Sequence, residues 1–337
     1  MTMERGKGAT GHAHALLEDG SLIVVSAGAR AHDLVELWLP LVTRNAAMVT
    51  DGTDARAVIR VRAGEPPHAP PPGAPAMEMS GVGGWVTGDG ETVVFADAAG
   101  AIGVTVDLAA RRAEVCVRTD RDPPETVQVV STLTMVSALL LTRLRRALVH
   151  AGAVLPPGGG AWLLAGGSFS GKTSTCVTLI RGGWGWLSDD HVVLGRMDGE
   201  IRVEGWPRRF NLDHGYASGA SRGVRSRVDP EAFGPGAWQS TAPLAGLLFP
   251  RVEAGAPTAL VPLHPAGALA LLVRNAPWLL ADARGAAPVL SLFQRAARLP
   301  AYELRLGADS YCNADRLQMV LGPVIHSQIR TSARVET

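Results

Sequence analysis

Residues 161–191 read AWLLAGGSFSGKTSTCVTLIRGGWGWLSDDH, and this stretch decides the fold. The apolar run at 161–165 has the length and composition of a buried strand. Gly166-Gly167-Ser168-Phe169-Ser170-Gly171-Lys172-Thr173 follows at once and satisfies G-x-x-x-x-G-K-[ST]. Gly166, Gly167 and Gly171 carry no Cβ, so several backbone N–H groups can approach a phosphate closely. The spacing then predicts a helix over 172–181, whose N-terminal amides and dipole favour an anion. In such a loop Lys172 reaches the terminal phosphates and the Thr173 hydroxyl ligates Mg²⁺. Gly182-Gly183 ends the helix and 184–187 makes a short strand. Asp189 and Asp190 stand at its far end, where carboxylates can meet a metal and a nucleophile. Adjacent aspartates are ordinarily a solvated turn. One strand, loop, helix and strand separate these from the start of the motif, a compact unit whose two ends converge, and that favours a site.

Outward from this unit, the whole chain bounds the possibilities. Its 337 residues have room for two domains, and 47% hydrophobic with 19% charged residues is the balance of a globular protein with a sizeable core. A net charge of +1 makes no electrostatic case for nucleic acid or an anionic membrane surface. Cys116, Cys176 and Cys312 lie far apart with no C-x-x-C pair, so neither a disulfide framework nor a zinc site of cysteines is expected, and a reducing cytoplasm fits. The N-terminus has no apolar signal core, and no run is expected to reach the roughly 18 to 20 apolar residues of a membrane span; the most apolar candidate, 259–273, is broken by His264-Pro265.

Residues 1–20 read as a flexible N-terminus, in which His12 and His14 are two histidines of a tail before they are metal ligands. From 21 to 124 the pattern is β-rich, with strands expected at 21–26, 57–62, 84–86, 92–96, 102–107 and 114–118. A short amphipathic helix at 33–39 interrupts them, and GEPPHAPPPGAP at 64–75 is a Pro-rich surface loop. Helical apolar spacing over 127–146 predicts a helix connecting the halves, at 125–147. A strand at 148–155 and a Pro-Pro-Gly-Gly-Gly turn then predict a hairpin with the strand at 161–165, which carries His150 towards the loop. A lone strand histidine is more often a hydrogen-bonded core residue. After the acidic pair, strands are expected at 192–194 and 201–203 with Asp198-Gly199 as their turn, then a mobile loop over 213–240. Further strands are expected at 242–249, 258–262 and 301–306, helices at 265–273 and 287–297, and a C-terminal tail at 311–337 with one helix. Arg208 and Arg209 are candidates for a phosphate or transition-state contact, beside the plain reading of a solvated basic pair.

With His150, the 166–173 loop, Arg181-Gly182 and Ser188-Asp189-Asp190 in this order, residues 148–195 resemble the HPr kinase/phosphorylase-like P-loop kinases. They look closest to the shorter, divergent relatives found beside ribosomal-peptide biosynthesis enzymes. The resemblance implies an α/β fold: a P-loop nucleotide domain of HPr-kinase type at 148–310 behind a smaller mixed, β-rich N-terminal domain. It implies a cytoplasmic kinase that moves the γ-phosphate of ATP to a serine or other hydroxyl of a peptide or protein. It implies Asp189, His150 and Lys172 as catalytic residues, Gly166 to Ser174 as the nucleotide-binding stretch, and Thr173 with Asp190 as Mg²⁺ ligands. The expected partners are a peptide or protein substrate and the nucleotide, with no nucleic acid and no membrane; the family also admits a homo-oligomer. Two departures point away from HPr itself and from the reverse phosphorolysis reaction. Ser174 stands where the HPr-specific enzymes carry an acidic residue, and their later Gly-rich signature is not evident. The competing readings are a P-loop NTPase or switch that hydrolyses ATP to drive a partner, and a nucleotide-binding accessory protein.

Overall fold

The computed structural model describes residues 11–44, 48–49, 55–67, 70–120, 122–213, 225–233, 237–253, 255–310 and 313–333. The protein is a mixed α/β chain that divides into two compact units, Met1–Arg145 with Trp278–Ala286, and Arg146–Pro277 with Ala287–Thr337.

The first unit is built on eight strands: β1 (Gly11–Ala15), β2 (Leu22–Ala27), β3 (Ala57–Ala63), β4 (Met77–Met79), β5 (Val82–Val86), β6 (Thr92–Asp97), β7 (Ile102–Asp107) and β8 (Arg112–Val117). They pair in the order β1-β2-β3-β8-β7-β6-β5-β4. β3 runs parallel to both β2 and β8, and the other neighbours are antiparallel. A parallel pair needs a crossover, and helix α1 (Ala29–Trp38) supplies it between β2 and β3. Ala57, Ile59 and Val61 of β3 are buried while Arg60 is exposed, the period of a sheet covered on one face.

Helix α2 (Thr126–Arg143) packs on this sheet and on α1, and it is buried nearly all round. The segment expected to connect the two halves is therefore the core helix of the first unit. By length and composition α2 is apolar enough to cross a membrane, with mean hydropathy 1.3, which corrects the expectation that no run would be; 72% of it is buried inside the protein. Three of its hydroxyls are satisfied by the helix itself, Thr132 donating to Gln128 O, Thr134 to Val130 O and Ser137 to Leu133 O, each at 2.8 Å, while Ser131 bonds Ser80. The last turn is fixed by Asp282, which is fully buried. It accepts from Arg143 Nε and Nη2 at 2.6 and 2.8 Å, from Thr142 Oγ1 at 2.8 Å and from Gly285 N at 2.9 Å.

The second unit carries β9 (Ala147–Leu155), β10 (Ala161–Ala165), α3 (Lys172–Arg181), β11 (Gly185–Ser188), β12 (His191–Met197), β13 (Glu200–Trp206), β14 (Phe210–Asp213) and β15 (Arg225–Val228). It continues with β16 (Thr241–Val252), β17 (Ala259–Pro262), α4 (Pro265–Arg274), α5 (Ala283–Ala296, which starts within the first unit), β18 (Ala301–Leu306) and α6 (Ala314–Ala333). The sheet order is β10-β9-β12-β13-β16-β18-β17, and β10 also pairs with β16, so five of the strands close into a ring. The hairpins expected at 156–160 and at Asp198-Gly199 both form, the latter with positive φ at both turn residues, 51° and 88°. α3 ends in Gly183 at φ 88°, with Gly183 N donating to Ile180 O and Trp184 N to Leu179 O, a Schellman ending.

One expectation about the ends of the chain is corrected and the other is met. Residues 11–15, expected in a flexible tail, form the edge strand β1, in register with β2 from Gly11 opposite Ala27 to Ala15 opposite Ile23. The one helix expected in the C-terminal tail forms as α6, and its Leu317, Leu321 and Ile325 join the core of α3 with Trp162, Trp186 and Leu306. Half of the loop expected over 213–240 lies outside the described residues; within it β15, pairing with β14, and a short 3-10 turn at Pro230–Phe233 are ordered structure.

Candidate active site

β9 positions the site. Its far half pairs with β10 on one edge, and its other edge carries β11 and then β12, with Ser188 opposite Ala153 and His191 opposite His150. Asp189 and Asp190 are the link between these two strands, so they are held against the middle of β9. The backbones come so close that a Cβ on Gly152 would stand 2.8 Å from Cys176 Sγ and 3.2 Å from Asp189 Cα. Ser188 locks the link, donating to Trp206 O at 2.6 Å and accepting from His191 N at 3.3 Å. β10 delivers the 166–173 loop to the same place, and Gly171 adopts φ 101° to turn it into α3.

Lys172 is buried, and its ammonium donates to Gly166 O at 2.6 Å, to Gly167 O at 3.0 Å and to His150 Nε2 at 3.2 Å. Burial lowers its pKa, and the charges of Asp190 and Asp189 act in the opposite direction. Because an ammonium only donates, His150 Nε2 must accept, which leaves the proton on Nδ1. Nδ1 then faces Asp190 O at 3.0 Å and Asp190 Oδ1 at 3.1 Å.

The two aspartates diverge. Asp190 takes His150 on Oδ1, and His191 Nδ1 at 2.7 Å and Arg208 Nη1 at 3.0 Å on Oδ2. Burial opposes its charge, yet these imidazoles and the guanidinium hold its pKa well below the usual carboxylate range. Burial drives His191 down to about 4, so it is a neutral donor near neutrality. Asp189 is buried, accepts one bond from Thr173 Oγ1 at 3.2 Å on Oδ2, and has no hydrogen-bond partner on Oδ1. Burial, and then the charge of Asp190, raise its pKa well above the usual value.

Of the residues singled out in the sequence, His150, Lys172, Thr173, Asp189, Asp190 and Arg208 are brought together. Arg209 is not; it pairs with Asp229 at 2.9 Å on the surface. Thr173 donates to Asp189, while the oxygens of Asp190, expected to share Mg²⁺ with Thr173, are engaged by two imidazoles and a guanidinium. Gly166, Gly167, Ser168, Phe169 and Ser170 form the turn ahead of α3, with Phe169 exposed at φ 63° and Ser170 N donating to Gly167 O; Ser174 sits in the first turn of the helix. His191 was not foreseen, although it directly follows the acidic pair in sequence.

A divalent cation fits these residues. Asp189 is a buried carboxylate with an unpartnered oxygen beside a threonine hydroxyl; burial and the charge of Asp190 raise its pKa despite the nearby Arg208 and Lys172, and a cation beside Thr173 would favour its charged form. The free amides at the start of α3 and the buried ammonium of Lys172 suit an anion next to it.

No family model matches the chain, and no curated protein matches it. Among solved structures it is similar to the HPr(Ser) kinase/phosphatase from Coxiella burnetii, at 12% sequence identity and a TM-score of 0.29, over 56% of this chain and 99% of that one. A likeness at that level carries no functional conclusion.

Proposed function

We propose that the second unit is an ATP-dependent P-loop phosphotransferase that moves the γ-phosphate to a serine or other hydroxyl of a peptide or protein. One observation carries this: a glycine-rich loop with a buried lysine, a threonine hydroxyl and a buried carboxylate with an unpartnered oxygen converge on one end of β10 and α3.

The 166–174 backbone and Lys172 bind the nucleotide phosphates. Thr173 and Asp189 Oδ2 would hold Mg²⁺, which would neutralise charge developing on the transferring group. Asp189 Oδ1 is the oxygen left to accept the proton of the attacking hydroxyl. Asp190 is already a partnered anion and acts as a positioning residue. It fixes the proton of His150 on Nδ1, so that Nε2 orients Lys172, and it holds Arg208 at the site. Phosphoryl transfer is mostly positioning and charge neutralisation, and this set of residues supplies both.

The test is intact mass of peptides encoded beside the gene, incubated with Mg-ATP and either the wild type or Asp189→Asn. One added phosphate, about 80 Da, that vanishes in the variant supports transfer with Asp189 essential. ATP consumption without any phosphorylated product would instead establish an NTPase that drives a partner.

A further inference from the structure

The first unit holds a second group of chemistry-bearing side chains, none of them part of the site described above. β1 places His12 and His14 on one side of the strand, since residues two apart share a face. α1 presents His32 and Glu36 one turn apart, on the stripe beside its buried Ala31, Val35 and Trp38. The strand and the helix bring these together: one ligand atom each from His14, His32 and Glu36 lies within 4.8 Å of the others. Glu36 Oε1 is 3.9 Å from Nε2 of both His14 and His32. The His12 ring stacks on His32 with centroids 4.3 Å apart and braces its plane.

The decisive residue is His14. Its side chain is 95% buried by area, its relative exposure being 5%, and neither ring nitrogen has a hydrogen-bond partner; His32 Nδ1 is likewise buried and unpartnered. A buried polar group in that state costs about 1–3 kcal/mol, and nothing in hydrogen bonding repays it here. Glu36 and the rim of His32 reach solvent, which gives an ion a path in.

We propose that His14, His32 and Glu36 bind a divalent transition-metal ion of the zinc class, which clamps the edge strand β1 to helix α1. Two imidazoles and a carboxylate select zinc and its first-row neighbours over Mg²⁺ or Ca²⁺, which take oxygen ligands. Metal–nitrogen bonds of about 2.0–2.1 Å put two ligand atoms of a tetrahedral site roughly 3.3 Å apart. A small rotation of the exposed Glu36 side chain closes the present 3.9 Å to that spacing. Burial already keeps the His14 imidazole below its ordinary pKa, with Glu36 acting the other way, so the ligand is in its neutral, metal-binding form. β1 is held along its length by β2 and touched at Met48 and Val49 through the His14–Met48 bridge and the bond from Val49 N to Ala13 O, and an ion here would add a side-chain tie from this strand to helix α1.

The test uses the full chain, stripped with chelator and titrated with Zn²⁺ alone, with calorimetry for stoichiometry and thermal unfolding as the second readout. The expected result is one tight equivalent and a raised Tm in the wild type and in His150→Gln, which dismantles the other histidine and carboxylate cluster. The double variant His32→Gln with Glu36→Gln loses that equivalent and the Tm rise. Glu36→Gln alone, on an exposed side chain that leaves folding unaffected, weakens binding by at least about tenfold. Zinc binding that survives both of these variants, or no stoichiometric binding to the wild type, overturns the proposal.

Discussion

Among the described residues, two clusters combine a pair of histidines with a carboxylate, and they are satisfied in opposite ways. In the second unit Asp190 is clasped by His150, His191 and Arg208 at 2.7 to 3.1 Å, and every participant has a partner. In the first unit Glu36 stands 3.9 Å from both imidazoles and the buried His14 has no hydrogen bond at all. The same residue types thus serve two ends. A cluster that closes on itself fixes tautomers and orients neighbours, whereas a cluster left open at its centre is shaped for something the chain does not supply.

That contrast can be broken or sharpened by mutation. The largest effect is expected one residue away from the closed cluster. Asp189→Asn should lower phosphoryl transfer by about 10²–10⁴-fold, measured as initial rate on a phosphorylated peptide. The same variant should be at least as stable as the wild type. A carboxyl whose folded pKa is raised contributes stability that is present at low pH and lost as pH rises past the ordinary carboxylate range. The stability gain of the variant should therefore grow from acid towards neutral pH in parallel denaturant titrations without metal.

Opening the closed cluster comes next. His191→Leu removes the 2.7 Å donor to Asp190 and should cost about 1.5–3 kcal/mol in urea unfolding, as for a hydrogen bond to a charged group. The corresponding change in the open cluster has the opposite sign. His14→Leu, in chelator, replaces an unpartnered buried imidazole and should stabilise by about 1 kcal/mol while abolishing any gain from Zn²⁺. If both histidines respond alike, the distinction between the clusters fails. The smallest effect belongs to Arg209→Ala: its surface pair with Asp229 should be worth no more than about 0.5 kcal/mol, with transfer rate unchanged, whereas Arg208→Ala should reduce both.

The legible parts of the molecule were those with local signals. The β9–β10 hairpin, the loop, α3 with its glycine ending, and the convergence of His150 with the acidic pair followed from turn residues, motif spacing and apolar runs. What escaped was set by contacts distant in sequence. β1 looked like a tail because what orders it is distant in sequence or on other elements: its pairing with β2, its bridge to Met48 and its contact with α1. α2 looked like a connector because a helix buried all round carries no polar face to show where it packs. Which of Asp189 and Asp190 meets Thr173 was not legible because adjacent residues at a strand end point in opposite directions; spacing from Lys172 brings the pair to the site without saying which member faces the loop. His191 faces the site from β12 by its pairing opposite His150, a register that no short stretch of sequence encodes.

The buried Asp282 has a consequence for how the chain is made. Arg143 at the end of α2 and the carboxylate that receives it are 139 residues apart. During synthesis, β9 to β17 and α4, all of which lie between them, leave the ribosome before the first unit obtains its last segment. The N-terminal sheet can offer Arg143 only Glu91, at 2.9 Å, and must wait for its buried carboxylate while most of the second unit is already available to fold. Ending the gene after residue 145 yields a first unit with Arg143 lacking its buried partner, so a deletion series should recover a well-packed N-terminal unit only once it extends past Gly285.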